Sequence, residues 1–92
     1  DTSIVVSAPG YLSNADKMTV KINAKNPNNS SLGLPFLTGT ILLLDVKTGQ
    51  LLSIMDSGMI TAMRTGAAGA VGAKLLANSL SGKVALIGAG MQ

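Results

Sequence analysis

The stretch from Met59 to Ala77 combines a helical spacing of apolar residues with an unusual content of alanine and glycine. One stripe of such a helix would contain Ile60, Arg64, Ala67, Val71 and Leu75. More than half of the other residues are Ala or Gly, and each glycine weakens a helix by about 1 kcal/mol relative to alanine. Small residues on several faces let other backbones approach closely. We therefore expect this helix to be enclosed by neighbouring elements and to be held by packing.

The composition excludes several kinds of site. None of the 92 residues is cysteine or histidine, so the chain has no thiolate or imidazole, and we predict no metal site. The net charge of +3 comes from seven basic residues against four acidic ones. The basic residues are scattered singly without aromatic neighbours, a pattern that does not indicate nucleic-acid binding. The length allows one small hydrophobic core at most.

A membrane location is also disfavoured. Glycine and alanine at four-residue spacing suit close helix pairs in lipid, but Arg64 and Lys74 lie within the same stretch. The first residues lack the basic region and the long apolar run of a signal peptide. We expect a cytoplasmic protein that does not contact a membrane.

The residues before the helix have the patterns of β-strands. "SIVVSA" is rich in β-branched residues and is followed by Pro9-Gly10, which predicts a strand that ends at this turn. From Lys17 to Ala24 apolar and polar side chains alternate, which predicts a half-buried strand with Lys21 on its polar face. "NPNNSSLGLP" is typical of an irregular loop.

A hairpin and a helix cap follow this loop. "FLTGTILLLD" and "QLLSIMD" flank "VKTG", where Gly49 can adopt the positive φ of a hairpin turn. Asp56 or Ser57 is a suitable N-cap for the helix that begins near Met59. After the helix, "KVALI" predicts a short buried strand that runs into Gly88.

Arg64 is the most informative single residue. A guanidinium on the apolar stripe of a packed helix is costly unless it meets an anion, and no acid lies three or four residues away. It either pairs with a carboxylate elsewhere in the chain, emerges at a helix end, or holds a carboxylate or phosphate ligand by two parallel hydrogen bonds. The pattern leaves these alternatives open. Lys21 by itself is weaker evidence of a functional site than Arg64, because a lysine on the polar side of a strand is usually solvated.

The Gly88-x-Gly90 spacing after a strand fits the beginning of a dinucleotide-binding loop. Glycine there lets the chain turn sharply and brings backbone N–H groups against a pyrophosphate. An ordinary turn after a strand explains the two glycines equally well, since the remainder of the fingerprint is not in this sequence.

Four blocks of the sequence, in this order and at these separations, resemble the ornithine cyclodeaminase and mu-crystallin family. They are "MTVKINAKNPNN" with "LGLP", "GTILLLDVKTGQLLSIMD", "ITAMRTGAAGAVGAKLLA" and "VALIGAGMQ". The resemblance implies an α/β protein with two domains, one for substrate binding and homodimer formation and the other a Rossmann domain that binds NAD or NADP. Residues 1–57 would belong to the first domain, 58–80 to a connecting helix and 81–92 to the start of the second. The chain is thus expected to be an internal fragment of a longer protein.

The resemblance also implies roles for individual residues. Lys21 would be catalytic and would contact the substrate near its reacting carbon and carboxylate. Arg64 would grip the α-carboxylate of the substrate. The implied cofactor contacts are Thr65, Gly88, Ala89, Gly90, Met91 and Gln92. The family's catalytic aspartate falls beyond these residues, so the present sequence does not contain it.

The implied chemistry is hydride transfer at the α-carbon of an amino acid through an imine, with an α-amino acid or a cyclic imine as substrate. Two other hypotheses remain open. The protein could be a mu-crystallin-like protein that binds NAD(P)H without catalysis or has a structural role. It could also be a self-contained small module of another class, which predicts cooperative unfolding of these residues as a monomer.

Overall fold

The computed structural model describes residues 2–78 and 82–90. The chain divides into two compact units, Asp1–Gly58 and Met59–Gln92. The first contains the strands and the second contains the long helix. The predicted α/β organisation, with strands first and a long helix after them, is confirmed.

The first unit is a four-stranded antiparallel sheet in which neighbours in sequence are neighbours in space. The β1–β2 and β3–β4 connections are short, whereas residues 26–36 join β2 to β3. The strands are β1 (Ile4–Leu12), β2 (Lys17–Lys25), β3 (Leu37–Asp45) and β4 (Leu51–Asp56).

The first strand is longer than the sequence predicts. β1 continues through Pro9 and Gly10, and the chain turns only after Leu12, where the Ala15 N–H donates to the Leu12 carbonyl at 3.0 Å. Proline cannot donate to a ladder, but β1 is an edge strand with a partner on one side only, and edge strands tolerate proline. The prediction that Pro9-Gly10 ends the strand was therefore wrong.

The connection between β2 and β3 contains more structure than the predicted irregular loop. Pro27–Leu32 forms a 3-10 helix. The Asn26 side chain accepts from the Asn28 N–H at 3.2 Å, and Gly33 ends the helix in the left-handed region with φ of 70°. These are local capping interactions of the residue types that favour turns.

The β3–β4 hairpin turn is built around the Asp45 carboxylate, and the prediction for Gly49 is confirmed. Gly49 has φ of 70°. Asp45 Oδ1 accepts from the backbone N–H groups of Lys47 and Thr48, both at 3.0 Å. Its other oxygen accepts from Lys17 Nζ at 2.8 Å. The lysine hydrogen bond and the backbone hydrogen bond from Thr48 lower the pKa of Asp45 from 3.8 to about 2.

This carboxylate gives a prediction about acid stability. Because the pKa of Asp45 is lower in the folded state, its contribution to the free energy of unfolding is fully present above about pH 4 and is lost as the pH falls towards 2. We expect Asp45→Asn to destabilise the protein at pH 7 and to have a smaller effect at pH 2.5. Urea midpoints of the two proteins at both pH values measure this difference. Equal differences at both pH values would contradict the role of the carboxylate charge.

The helix α1 spans Gly58–Leu76, within one residue of the predicted bounds at either end. Asp56 Oδ1 accepts from the Gly58 N–H at 2.7 Å, so Asp56 and not the Ser57 hydroxyl supports the first turn. A Cβ added at Gly66, Gly69 or Gly72 would meet no atom within 4 Å outside the nearby backbone of the helix itself, and the enclosure of the helix by other elements stays a prediction. In the described part of the chain, this helix is mostly exposed.

The strand predicted for Lys83–Ile87 is not formed. Residues 82–89 have no regular secondary structure, and Val84, Leu86 and Ile87 are exposed. A parallel strand requires a neighbour to accept and donate its backbone hydrogen bonds, and the described residues of the second unit include no strand. The described residues contain no helix with both the length and the hydropathy of a transmembrane segment.

Candidate functional site

Lys21 lies at the middle of β2, one of the two central strands. The register places it opposite Ala8 of β1 and Ile41 of β3, and Ile41 is opposite Met55 of β4. Side chains in such a row share one face of the sheet, which we call the Lys21 face. β2 is a strand as predicted, but the expected alternation of burial is not found: Ile22 on the apolar side is exposed, and the Lys21 face is not simply solvated. Ile41 is 8% exposed and Lys21 is half-buried.

A polar cluster lies beside Lys21 on this face. The next row along the strands pairs Asn23 with Gly39. Ser57, which follows β4, donates its hydroxyl to Asn23 Oδ1 at 3.3 Å and its backbone N–H to the Gly39 carbonyl at 2.9 Å. Ser57 is only 2% exposed. A buried hydroxyl is costly unless it is hydrogen-bonded, so Asn23 compensates for the burial of Ser57.

Gly39 makes this cluster possible. A Cβ at position 39 would collide with Asn23 Oδ1 and Ser57 Oγ, and it would lie 2.8 Å from the Ile22 carbonyl. The absence of a side chain on β3 therefore lets residues on either side of this strand meet above it. Asn23, Gly39 and Ser57 together are called the Ser57 clamp below.

Arg64 and Thr65 are adjacent on α1, in the second unit. Arg64 is exposed and Thr65 is half-buried. The described carboxylates have other partners: Asp45 and Asp16 bind Lys17 and Lys47, and Asp56 accepts from the Gly58 N–H.

The predicted cofactor loop is described in part. Gly88 has φ of 102°, a conformation that residues with side chains rarely adopt. A Cβ at Gly88 or Gly90 would meet no atom within 4 Å, and Ala89 is exposed. Met91 and Gln92 lie outside the described residues.

A family model described as the ornithine cyclodeaminase/mu-crystallin family matches residues 3–92. The chain belongs to this family. The resemblance seen in the sequence is thus confirmed. The chain is also 43% identical over 76 residues to the L-lysine cyclodeaminase of Streptomyces rapamycinicus, an alignment that covers 82% of this chain and 22% of that protein.

Two solved structures have the same fold over most of the chain. The Δ1-pyrroline-2-carboxylate reductase of Thermococcus litoralis, in complex with NADH and L-proline, is 42% identical with a TM-score of 0.78 and is matched over 83% of this chain and 24% of its own. An archaeal alanine dehydrogenase dimer with bound NAD is 29% identical with a TM-score of 0.77, over 88% and 27% respectively. The chain therefore spans about a quarter of the length of these family members.

The Ser57 clamp was not predicted from the sequence. A signal for it was present, since a glycine inside an otherwise apolar strand often marks a close approach of another group. Gly39 in "LTGTILLLD" is such a glycine. Its partners could not be named, because the contact depends on the register of β2 and β3 and on the path of the chain after β4.

An open hollow of about 370 Å³ lies at the β1–β2 hairpin and contains none of the predicted site residues. Its lining is mostly apolar and includes Tyr11 and Leu12. Its one charged residue is Lys17, which is engaged by Asp45. The hollow therefore offers no charged group free to bind an anion.

Proposed function

We propose that this chain is part of an NAD(P)-dependent oxidoreductase or cyclodeaminase that acts on an α-amino acid or a cyclic imine carboxylate. The observation that carries the proposal is the position of Lys21, which is half-buried at the centre of the sheet and beside the buried Ile41. Membership of the family and the amino-acid ligands named for its solved members support the substrate class.

Lys21 would act as a hydrogen-bond donor with a fixed positive charge. Its ammonium group has three N–H bonds and can stabilise negative charge that develops at the carboxylate or at the reacting carbon of the substrate. Arg64 would bind the α-carboxylate through two parallel N–H bonds. The exposure of Arg64 leaves its guanidinium accessible to a ligand.

The glycines near the end of the described chain fit a dinucleotide. The positive φ of Gly88 and the open space at the Cβ positions of Gly88 and Gly90 allow a phosphate group to approach the backbone N–H groups. Thr65, Gly88, Ala89 and Gly90, together with Met91 and Gln92, are the residues that we assign to cofactor binding. The nicotinamide ring, when bound, would supply or accept the hydride.

Arg64→Met in the full-length protein tests the assignment of the carboxylate-binding residue. Loss of hydrogen bonds to a charged group costs about 2–3 kcal/mol, which corresponds to roughly a 30- to 150-fold increase in the KM for the amino acid. Binding of NADH, followed by its fluorescence, should be nearly unchanged. Lys74→Met removes another positive charge from α1 and serves as the control. A KM that stays at the wild-type value would disprove the role of Arg64, and NADH binding without turnover of any amino acid or cyclic imine would favour the non-catalytic alternative.

We also propose that a second copy of the chain covers the side of the sheet opposite Lys21. The register places several apolar residues on this side, which we call the apolar face: Tyr11, Val20, Ile22, Leu42 and Ile54. Three of them, Tyr11, Ile22 and Ile54, are exposed. A contiguous apolar surface of this kind is typical of an interface. The alanine dehydrogenase of the same fold is named as a dimer, which supports a homodimer here.

Ile54→Asp tests this homodimer. An aspartate on the apolar face would bury an unpaired charge between the two copies, so we expect the full-length protein to become monomeric. Sedimentation velocity at several protein concentrations measures the change. Leu12→Asp is the matched control, because Leu12 is 62% exposed against 64% for Ile54 and lies on the opposite face. A dimer that persists in Ile54→Asp, or dissociates equally in both variants, would argue against this interface.

A further inference from the structure

The Ser57 clamp ties together parts of the sheet that are not adjacent. Ser57 follows β4, Asn23 belongs to β2, and β3 lies between these two strands. The backbone hydrogen bond from Ser57 to Gly39 and the side-chain hydrogen bond to Asn23 together span the width of β3. No side chain on β3 separates the two groups, because residue 39 is glycine. The clamp therefore fixes the Asn23 side chain through a residue that is almost fully buried.

Asn23 is the next side chain after Lys21 on the same face of β2. Residues two apart in a strand are separated by about 6.6 Å, and their side chains are neighbours. The residue opposite Lys21 on β3 is the buried Ile41. The neighbours of Lys21 on this face are thus a buried aliphatic residue on β3 and, along β2, a carboxamide that is hydrogen-bonded to Ser57.

A lysine in a binding site benefits from such restraint. Its four-carbon stem has a large rotamer entropy, and its charge must lie within a fraction of an ångström of the productive position. The two residues that flank Lys21 on the same face of β2 differ in how firmly they are held. Asn23 is hydrogen-bonded to a buried group on one side, whereas Thr19 on the other side lines the open hollow.

We propose that Ser57 is a positioning residue for Lys21 and that it acts through Asn23. Gly39 is the position that permits the contact. The proposal concerns the orientation of the Lys21 side chain. It rests on the proposed function only where it expects this orientation to affect catalysis. It predicts that removal of either hydrogen-bonding group loosens the surroundings of the Lys21 side chain, although neither group needs to touch the substrate.

The experiment measures the reactivity of Lys21 in the full-length protein. Limited acetylation with acetic anhydride, read by mass spectrometry, gives the rate at Lys21 relative to the exposed Lys74 on α1. We expect Ser57→Ala to raise this ratio severalfold, up to about fivefold, which is the full value of one ordinary hydrogen bond. Asn23→Leu should raise it by a similar factor, and the double variant should not exceed either single one, because residues that act as one unit are not additive.

Ser53→Ala is the matched control, since Ser53 lies on β4 and on the Lys21 face but outside the clamp. An unchanged ratio in both Ser57→Ala and Asn23→Leu, or an equal rise in Ser53→Ala, would overturn the proposal. If one clamp variant fails to give a native circular dichroism spectrum, the other still decides the result. Failure of the proposed function has a different signature: the wild-type protein would then turn over no amino acid or cyclic imine, or Lys21→Met would leave turnover intact, whatever the acetylation ratio.

Discussion

Lys21→Met in the full-length protein is expected to lower kcat about 100- to 1000-fold, the usual effect of removing one hydrogen-bond donor from a site of developing charge. Methionine has a similar length and fills the space beside Ile41, so the sheet should remain folded. The variant loses only the ammonium group. Steady-state kinetics with a cyclic imine carboxylate and NADH measure the change.

Two comparisons make this result specific. Lys25→Met removes a charge from the exposed end of the same strand and should leave kcat within about twofold. NADH binding should persist in Lys21→Met, because the residues assigned to the cofactor lie in the other unit of the chain. A Lys21→Met protein with wild-type kcat would refute a catalytic role for this lysine. If Lys21→Met lost both its kcat and its ability to bind NADH, the result would indicate a folding defect instead.

Gly39→Ala is expected to cause a large loss of stability of the sheet. The new Cβ would lie 2.8 Å from the Ile22 carbonyl and would collide with Asn23 Oδ1 and Ser57 Oγ. The two side chains can rotate away, but the backbone carbonyl of β2 cannot move without disturbing the ladder. Overpacking of this kind costs about 2 kcal/mol, with the loss of the buried serine's hydrogen bond in addition. Urea unfolding should show a lower midpoint.

Gly10→Ala is the control for this prediction. Gly10 is also a strand glycine on the Lys21 face, but its added Cβ would approach only the end of the Thr19 side chain, at 3.1 Å. We expect its free energy of unfolding to change by no more than about 0.5 kcal/mol. Equal midpoints for Gly39→Ala and the wild type would show that the contacts around Gly39 do not constrain the fold.

The local elements were predictable because their signals lie within a few residues. The alternation from Lys17 gave β2, the glycine of "VKTG" gave the β3–β4 turn, and the helical spacing gave α1 to within one residue at each end. The same local reasoning failed at Pro9, since a proline ends a central strand but not an edge strand. It also failed for residues 83–87, because a strand requires a neighbouring strand and the sequence pattern cannot supply one.

In the candidate site, too, some residues could be predicted from the sequence and others could not. The family motif identified Lys21, Arg64 and Gly88, and the positive φ of Gly88 agrees with the need for glycine there. Their roles stay predictions that the experiments above test. The Ser57 clamp could not be predicted, because its members are far apart in sequence.

The sequence by itself determined the strands, the hairpin turn, the helix and the family, since periodicity, turn chemistry and motif spacing are properties of neighbouring residues. Only the tertiary structure decided that Pro9 lies within an edge strand, that Lys21 is half-buried beside Ile41, and that Ser57 reaches Asn23 across Gly39. The physical reason is that burial and contacts across strands depend on which strands pair and in which register, and these are set by the sheet as a whole.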